Sequence, residues 1–223
     1  MQIPDSWPTT PEEAIALQDR LRPRVVAENP APPAFRTVAG LDSAYDDDGN
    51  VAAVAVVLDL ATLETIDTAT ARGHTDFPYV PGLLAFRELP TTIKALQSLS
   101  TTPDLIICDS QGLAHPRRFG FACHLGLLVD LPTLGVAKNV WGDYEEPARE
   151  RGSYSEITLD GEPVGRALRT RTDVKPVYVS VGHKIDIDTA CEQVLALTPE
   201  FRQPETTRRA DRLCRRLLAE GTA

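Results

Sequence analysis

Two aspartates in this sequence directly follow short apolar stretches. Asp42 comes after VAGL, and Asp109 comes after LIIC. Apolar strands bury their neighbours, and a buried carboxylate is costly unless a cation or a hydrogen-bond donor lies beside it. If the two strands are adjacent, both carboxylates could bind one Mg2+ or Mn2+ ion, with Glu88 as a third candidate. Strand-end aspartates also cap turns, and the spacing alone leaves that alternative open.

A short loop at residues 77–82 could present an aromatic ring to a ligand. Its sequence, FPYVPG, places Tyr79 between Pro78 and Pro81. The two prolines stiffen the loop, so we expect the ring to be exposed. Enzymes that act on nucleic acids use a rigid aromatic wedge to unstack bases. A ring that merely packs against the protein surface would have the same sequence.

Two further side chains are predicted to lie near Asp109. The sequence from Asp109 to Lys138 is typical of a strand end, a helix and a second buried strand. Ligands of parallel sheets gather at the carboxyl ends of the strands, which places Asp109, His115 and Lys138 on one rim. Carboxylates beside a lysine suit phosphodiester hydrolysis, in which negative charge develops on oxygen.

The elements that must position these residues follow from periodicity and turn signals. Apolar runs predict strands at 37–41, 51–60, 64–71, 104–108, 132–137 and 177–181, and a hairpin around 160–161. Helical spacing predicts helices at 11–27, 83–87, 91–99, 117–130, 188–197 and 206–218. We therefore expect one α/β domain over residues 1–223. Its mixed sheet has an antiparallel three-strand meander followed by parallel strands, with helices on both faces.

The net charge of the chain argues, taken alone, against a nucleic-acid partner. The sequence holds 32 acidic and 23 basic residues, a net charge of -9. Six arginines nevertheless lie between residues 202 and 216, and Arg117, Arg118 and Lys138 share a stretch with a single acidic residue, Asp130. A basic face on an acidic protein therefore stays open.

Cysteine use and hydropathy indicate the compartment. The four cysteines are widely spaced and form no CxxC pair, so we expect buried free thiols. No window holds the roughly 18 consecutive apolar residues of a membrane span. The N-terminal sequence has neither the basic nor the apolar segment of a secretion signal. We expect a cytoplasmic monomer that does not contact membranes.

Five stretches of the sequence match one known family. They read VAGLDSAY (38–45), PYVPGLLAFRELP (78–90), PDLIICDSQGLAHPRRFGFACHLGLLVDLPTLGVAK (103–138), VSVGHKIDI (179–187) and PETTRRAD (204–211). The second and third stretches are long and specific. The chain resembles endonuclease V, the deoxyinosine 3′ endonuclease family.

The resemblance implies an RNase H-like fold and a role in DNA repair. The implied reaction is Mg2+-dependent hydrolysis of the second phosphodiester bond 3′ to a deaminated purine. Asp42 and Asp109 would be the main metal ligands, with Glu88 as the third. Asp211 would complete the acidic site, and Lys138 would stabilise phosphate charge. We expect Mn2+ to replace Mg2+.

The resemblance also implies which residues contact the nucleic acid. Tyr79 would be the wedge that fills the space left by the lesion base, and His115 would contact the nucleic acid. The other implied contacts are Pro78, Pro81, Gly82, Arg87, Ser110 and Gly112. Asp104 also falls at a matching position, without an assigned role.

One position departs from the family pattern, and three alternatives stay open. Ser110 stands where the family usually has glycine, so a side chain there is expected to narrow the base pocket or alter its loop. The chain could instead cleave inosine-containing RNA, or bind inosine without cutting. Asp211 could be no more than a salt-bridge partner of the arginines around it.

Overall fold

The structure is a computed structural model that describes residues 4, 6–32 and 34–220. The expectation about the N-terminal sequence falls partly on residues outside this description. Helix α1 (Pro11–Leu21) begins after Thr10, whose side chain accepts a hydrogen bond from the Glu13 amide. The helix ends earlier than predicted because Pro23 falls in the 3-10 turn Arg22–Arg24, where the chain leaves the helix.

The predicted antiparallel meander is confirmed. Its strands are β1 (Thr37–Tyr45), β2 (Asn50–Asp59) and β3 (Thr65–His74). β2 pairs antiparallel with β1 and with β3. β1 is longer than predicted and runs through Asp42, so this carboxylate lies inside a strand and not at its end.

Two strands run parallel to β1 in the centre of the sheet. β4 (Leu105–Cys108) pairs with β1, and β5 (Thr133–Ala137) pairs with β4. Leu41 lies opposite Cys108. The next residue of each chain segment is an aspartate, so Asp42 and Asp109 lie side by side.

Residues 140–176, which show little apolar periodicity, form three more strands. These are β6 (Asp143–Tyr144), β7 (Tyr154–Leu159) and β8 (Glu162–Leu168), all paired antiparallel. The turn between β7 and β8 has positive φ angles at Asp160 (55°) and Gly161 (80°). Tight hairpin turns require this conformation. The predicted hairpin is confirmed.

The last strand, β9 (Val177–His183), joins the two halves of the sheet. It lies between β5 and β8 and is antiparallel to both. Across the described residues, the strand order is β3-β2-β1-β4-β5-β9-β8-β7-β6. The mixed sheet is confirmed, and its parallel part consists of β1, β4 and β5.

Helices cover both faces of the sheet, as predicted. They are α2 (Leu84–Gln97), α3 (Phe121–Val129), α4 (Ile187–Ala196) and α5 (Glu205–Ala219). Side chains of a strand alternate between the two faces. Ile106 therefore packs in the core beneath α2 and α3, whereas Leu105 and Ile107 pack in the core beneath α4 and α5.

The prediction of two helical pieces around Pro90 is wrong, because α2 continues through this proline. A proline inside a helix removes one backbone hydrogen bond and usually bends or breaks the helix. Here residues on both sides of Pro90 are buried on one helix face, including Phe86, Leu89 and Ile93. Packing of this continuous face offsets the cost of the proline.

Helix α5 lies directly on β1 next to Asp42. A Cβ atom at Gly40 would come within 2.3 Å of the Thr206 backbone, so only glycine allows this approach. The close contact places the middle of α5, with Asp211 and Cys214, near Asp42. The sequence-predicted basic helix is therefore also part of the wall of the candidate site.

The cysteine and membrane predictions concern the whole chain. All four cysteines are free and buried, as predicted. Among the residues that the structure describes, no helix has the length and hydropathy needed to cross a membrane.

A buried histidine predicts how stability depends on pH. The ring of His124 packs against Trp7, Phe86 and Phe119 at centroid distances of 5.8, 5.3 and 5.4 Å. Burial lowers the pKa of His124 to about 3, below the 6.5 of an exposed histidine. Below pH 6.5 the unfolded chain therefore binds a proton that the folded protein does not bind. The free energy of unfolding decreases as the pH is lowered from about 6.5 towards 3.

We expect His124→Phe to remove this part of the pH dependence. Between pH 7 and 5.5 the variant should gain about 1 kcal/mol of unfolding free energy relative to the wild type. Urea unfolding at the two pH values measures the difference. A difference that stays constant with pH would show that His124 is not neutral in the folded protein.

Candidate active site

Four carboxyl groups and one ammonium group lie near the carboxyl ends of β1, β4 and β5. Asp42 and Asp109 come from adjacent strands, and Lys138 directly follows β5. Glu88 lies in α2 and Asp211 in α5. Asp42 interacts electrostatically with each of the other four groups. The structure thus brings together the five residues that the sequence selected for catalysis.

Asp42 is a buried carboxyl group in a negative environment. Its Oδ1 accepts a hydrogen bond from the Ser43 amide at 2.9 Å, and its Oδ2 lies 3.7 Å from the Cys214 sulfur. Burial, and then the charge of Asp109, raise the pKa of Asp42 to about 7. Burial also raises the pKa of the Cys214 thiol, which therefore keeps the proton that it donates to Asp42.

Glu88, in α2, lies near the carboxyl groups of Asp42 and Asp109. Burial of its carboxyl group, and then the charge of Asp42, raise the pKa of Glu88 to about 8. A cavity of about 10 Å³ lies between Asp42, Glu88, Asp109 and Ser110. A space of this size and polarity suits about one water molecule. A carboxyl group with a pKa of about 8 keeps its proton at neutral pH, so the surroundings of Glu88 disfavour a further negative charge.

Lys138 supplies the positive charge of the site. Its ammonium group forms an ion pair with Oδ2 of Asp109, whose side chain is 11% exposed. Burial alone would lower the pKa of Lys138, but the bond to Asp109 raises it. Lys138 thus stays charged beside the carboxylates, and about half of its side chain remains open to solvent.

Asp211 interacts both with an arginine of its own helix and with the charged groups around Asp42. It forms an ion pair with Arg215 one helical turn away, at 2.8 Å, as the salt-bridge alternative expects. It also contributes to raising the pKa of Asp42 and interacts with Lys138. The geometry therefore allows both interpretations, and its role in catalysis stays a prediction.

The donor set fits a hard divalent cation. Within the described residues, no three His, Cys, Asp or Glu side chains are already drawn together closely enough to hold a metal ion. The charge of Asp42 nevertheless helps to raise the pKa of the Glu88 carboxyl group, and the charge of Asp109 helps to raise the pKa of Asp42, so a bound cation would relieve repulsion within the cluster. All of these ligand atoms are oxygens, which Mg2+ and Mn2+ prefer.

An open cleft of about 460 Å³ adjoins the carboxylates. One wall is the segment from Tyr79 to Leu84, the floor is Asp109 to Gln111, and the other wall runs from Ala137 to Trp141. Tyr79 is 66% exposed at the rim, and its proline neighbours are exposed as well. The ring is thus presented to solvent, as the proline spacing predicts.

The remaining sequence-predicted contact residues support this cleft from within the protein. Arg87 donates to the Phe77 carbonyl and stacks on Tyr45 at 4.7 Å. His115 is 3% exposed; its Nε2 donates to the Gly82 carbonyl, and its Nδ1 accepts from the Arg117 amide. Contacts between these side chains and nucleic acid stay predictions.

Two further sequence-predicted contact residues, Ser110 in the cleft floor and Gly112 directly after it, differ in their surroundings. The Gly112 amide donates to Ser180 Oγ at 2.8 Å, which fixes the end of the floor on β9. Ser110 is 7% exposed, and its buried hydroxyl has no hydrogen-bond partner in the described part of the chain. It lies between the carboxylate cavity and the open cleft. The predicted narrowing of a base pocket by Ser110 stays untested.

Sequence reasoning missed two side chains and left a third without a role. Gln18 is 1% exposed and lies on the same face of α1 as Ala14, four residues earlier. A polar residue at a buried position of an amphipathic helix is the sequence signal that could have identified it. Cys214 gave no signal, because only the packing of α5 brings it to Asp42. Asp104 accepts from the Arg36 and Thr37 amides at the opposite end of β1.

Comparisons with known proteins show the family of this chain. A family model described as Endonuclease V matches residues 19–212. An endonuclease V of Nocardia farcinica is 68% identical over 224 aligned residues, which cover 100% of this chain and 99% of that protein. This chain belongs to the endonuclease V family. It is an endonuclease.

Solved structures of endonuclease V share the fold over nearly the whole chain. The crystal structure of the Streptomyces avermitilis protein has a TM-score of 0.94 at 58% identity and covers 99% of this chain and 98% of that one. A Ciona intestinalis endonuclease V, in complex with a 23mer DNA that contains an inosine followed by a ribo-adenosine, has a TM-score of 0.84 at 26% identity, with 95% and 99% coverage.

The arginines of α5 give this endonuclease a basic surface that is only partly neutralised. Arg208 and Arg209 pair with the buried Glu205, and Arg216 pairs with Glu220. Arg212 is exposed and forms no ion pair with any residue that the structure describes. A phosphate would therefore meet less competition at Arg212 than at its paired neighbours.

We expect Arg212→Gln to weaken DNA binding mainly at low salt. Loss of one phosphate contact should flatten the slope of log K against log salt by about 0.9. Titrations between low and moderate salt measure the slope, with Arg216→Gln as the matched control. Identical slopes for wild type and Arg212→Gln would place Arg212 outside the DNA interface.

Proposed function

We propose that this endonuclease recognises deaminated purine in DNA and hydrolyses the second phosphodiester bond 3′ to the lesion. The reaction would be Mg2+-dependent, with Mn2+ as a substitute, and would serve DNA repair in the cytoplasm. The observation that carries the proposal is the position of the carboxylate cluster beside an open cleft with an exposed aromatic ring at its rim. Residues 1–223 would act as one catalytic domain, as a monomer.

The acidic cluster supports hydrolysis rather than binding alone. Asp42, Asp109 and Glu88 would hold Mg2+, with Asp211 completing the site. When bound, the ion would make a water molecule more acidic and neutralise charge on the leaving oxygen. Lys138 carries a positive charge at the edge of the same cluster and would stabilise the phosphate.

The cleft supports recognition of an unstacked base. Tyr79 would enter the stack at the lesion, and the displaced base would lie in the cleft against Leu84, Gly82 and Ser110. The structure of the Ciona relative with inosine-containing DNA supports inosine as the recognised base.

Inosine-containing RNA is the second candidate substrate. The same carboxylates and lysine would serve the scissile phosphate of RNA, and no sugar-discriminating contact follows from the sequence. A non-cleaving inosine-binding module is disfavoured, because such a protein would not need a buried cluster of repelling carboxylates.

A metal and substrate matrix tests the proposal. Oligonucleotides that contain one deoxyinosine in DNA or one inosine in RNA would each be incubated with Mg2+, Mn2+ or EDTA. We expect strand cleavage of the deoxyinosine duplex with either ion and none with EDTA. Cleavage of the RNA alone would make the second candidate correct, and cleavage in EDTA would overturn the metal proposal.

A variant of Asp211 separates its two interpretations. If Asp211 completes the acidic site, Asp211→Asn should lose at least about tenfold in single-turnover rate at saturating DNA and shift the Mg2+ dependence. Arg215→Gln breaks the same ion pair and serves as the control. An unchanged Mg2+ titration for Asp211→Asn would leave Asp211 as a surface salt-bridge partner, worth under about 1 kcal/mol.

A further inference from the structure

The wedge loop, defined here as Phe77–Gly82, is held by side chains at both of its ends. At the first end, Arg87 donates to the Phe77 carbonyl. At the second end, the Gly82 carbonyl accepts three hydrogen bonds from residues distant in sequence. The exposed ring of Tyr79 thus projects from a segment whose two ends are fixed.

Three donors converge on the Gly82 carbonyl oxygen. They are Gln18 Nε2 at 3.0 Å, His115 Nε2 at 2.9 Å and Arg117 Nη2 at 2.9 Å. Gly82 has a φ of +83°, and a Cβ atom there would lie 2.9 Å from Arg117 and 3.1 Å from His115. The orientation of this peptide is therefore determined by the donors around it.

Gln18 connects all parts of this arrangement. Besides Gly82, its Nε2 donates to the Phe119 carbonyl at 3.1 Å, and its Oε1 accepts from Arg117 Nε at 2.5 Å. The side chain is 1% exposed. Gln18 thus binds the wedge loop at Gly82 and orients Arg117, the second donor to the Gly82 carbonyl. Its bond to Phe119 connects this arrangement to the segment that precedes α3.

We infer that Gln18 is a positioning residue for lesion recognition. It keeps the Gly82 peptide in one orientation, so that Tyr79, three residues earlier, enters the base stack without a prior rearrangement of its loop. Its buried amide acts without touching the nucleic acid. The inference rests on the proposed function, because it takes Tyr79 as the group that meets the unstacked lesion site.

A double-mutant cycle tests the inference. Gln18→Met keeps the length of the side chain and removes its hydrogen bonds. Selectivity is the ratio of dissociation constants for an undamaged duplex and a deoxyinosine duplex, each with a non-hydrolysable scissile linkage. We expect Gln18→Met to lose at least about fivefold in selectivity alone, and less than about twofold when Tyr79 is already alanine.

The matched control is Thr10→Ala, which weakens the cap of the same helix but lies away from Gly82. If Thr10→Ala lowers the melting temperature as much as Gln18→Met does, its selectivity should still equal that of the wild type. Gln18→Glu, whose carboxylate would pair with Arg117 but repel the Gly82 carbonyl, is the second variant should Gln18→Met not fold. The same non-additive loss is expected of it.

The outcomes separate this inference from the proposed function. A wild type without selectivity, or a Tyr79→Ala variant that keeps it, would contradict the proposed function itself. A selective wild type whose Gln18 and Tyr79 losses multiply, or whose selectivity falls equally in Thr10→Ala, would overturn the positioning role alone.

Discussion

Replacing Asp109 or Asp42 with asparagine is expected to lower cleavage by several orders of magnitude while the protein stays folded. The two carboxyl groups lie side by side on adjacent parallel strands, Asp42 within β1 and Asp109 directly after β4, and both would hold the divalent cation. Single-turnover cleavage of a deoxyinosine duplex across a Mg2+ titration measures the loss. Near-normal Mg2+-dependent cleavage by either variant would remove that residue from the metal site.

The stability of the Asp42 variant provides the control for folding. The pKa of Asp42 rises to about 7 in the folded protein, from near 4 in the unfolded chain. The folded protein is thus destabilised as pH rises from 4 through 7, and the cost is fully present at pH 8. Metal-free Asp42→Asn should therefore melt above the wild type at pH 8, by about 2–4 °C per kcal/mol relieved, and the difference should vanish near pH 4.

Tyr79→Ala is expected to weaken binding to a deoxyinosine duplex by about 1–3 kcal/mol, roughly 5- to 150-fold. The ring is 66% exposed, so its removal costs the folded protein little. Binding to an undamaged duplex should change little, because no base leaves the stack there. Tyr79→Phe, which keeps the ring, is the matched control.

Fluorescence polarisation with the two duplexes checks the Tyr79 prediction. An equal loss on both would make Tyr79 a general contact. A loss in Tyr79→Phe as large as in Tyr79→Ala would assign the effect to the hydroxyl group, and the stacking account would be wrong.

The central elements could be predicted because their signals are local. The apolar runs before Asp42 and Asp109, and the two prolines around Tyr79, define strands and a stiff loop without reference to the rest of the chain. The two positive φ angles at Asp160 and Gly161 follow from the residue types of the turn. The predictions of the central strands and of an exposed ring at Tyr79 are therefore confirmed.

The parts that could not be predicted depend on tertiary packing. The continuity of α2 through Pro90 requires the buried face beneath it, and the direction of β9 depends on which neighbours it joins. The placement of His115 is of the same kind. Its position before a helix favours a place on the rim, whereas the structure buries its ring in hydrogen bonds to Gly82 and Arg117. Its contact with nucleic acid stays a prediction.

The most direct test of the account is the position of the nick relative to the lesion. Two end-labelled duplexes of one sequence would carry a single deoxyinosine at neighbouring positions, and the products would be sized at single-nucleotide resolution in Mg2+. We expect one nick per duplex, at the second phosphodiester bond 3′ to deoxyinosine, and this nick should move by one nucleotide with the lesion. A nick that stays in place when the lesion moves would contradict the proposed function, and so would equal nicking of a third duplex of the same sequence without deoxyinosine.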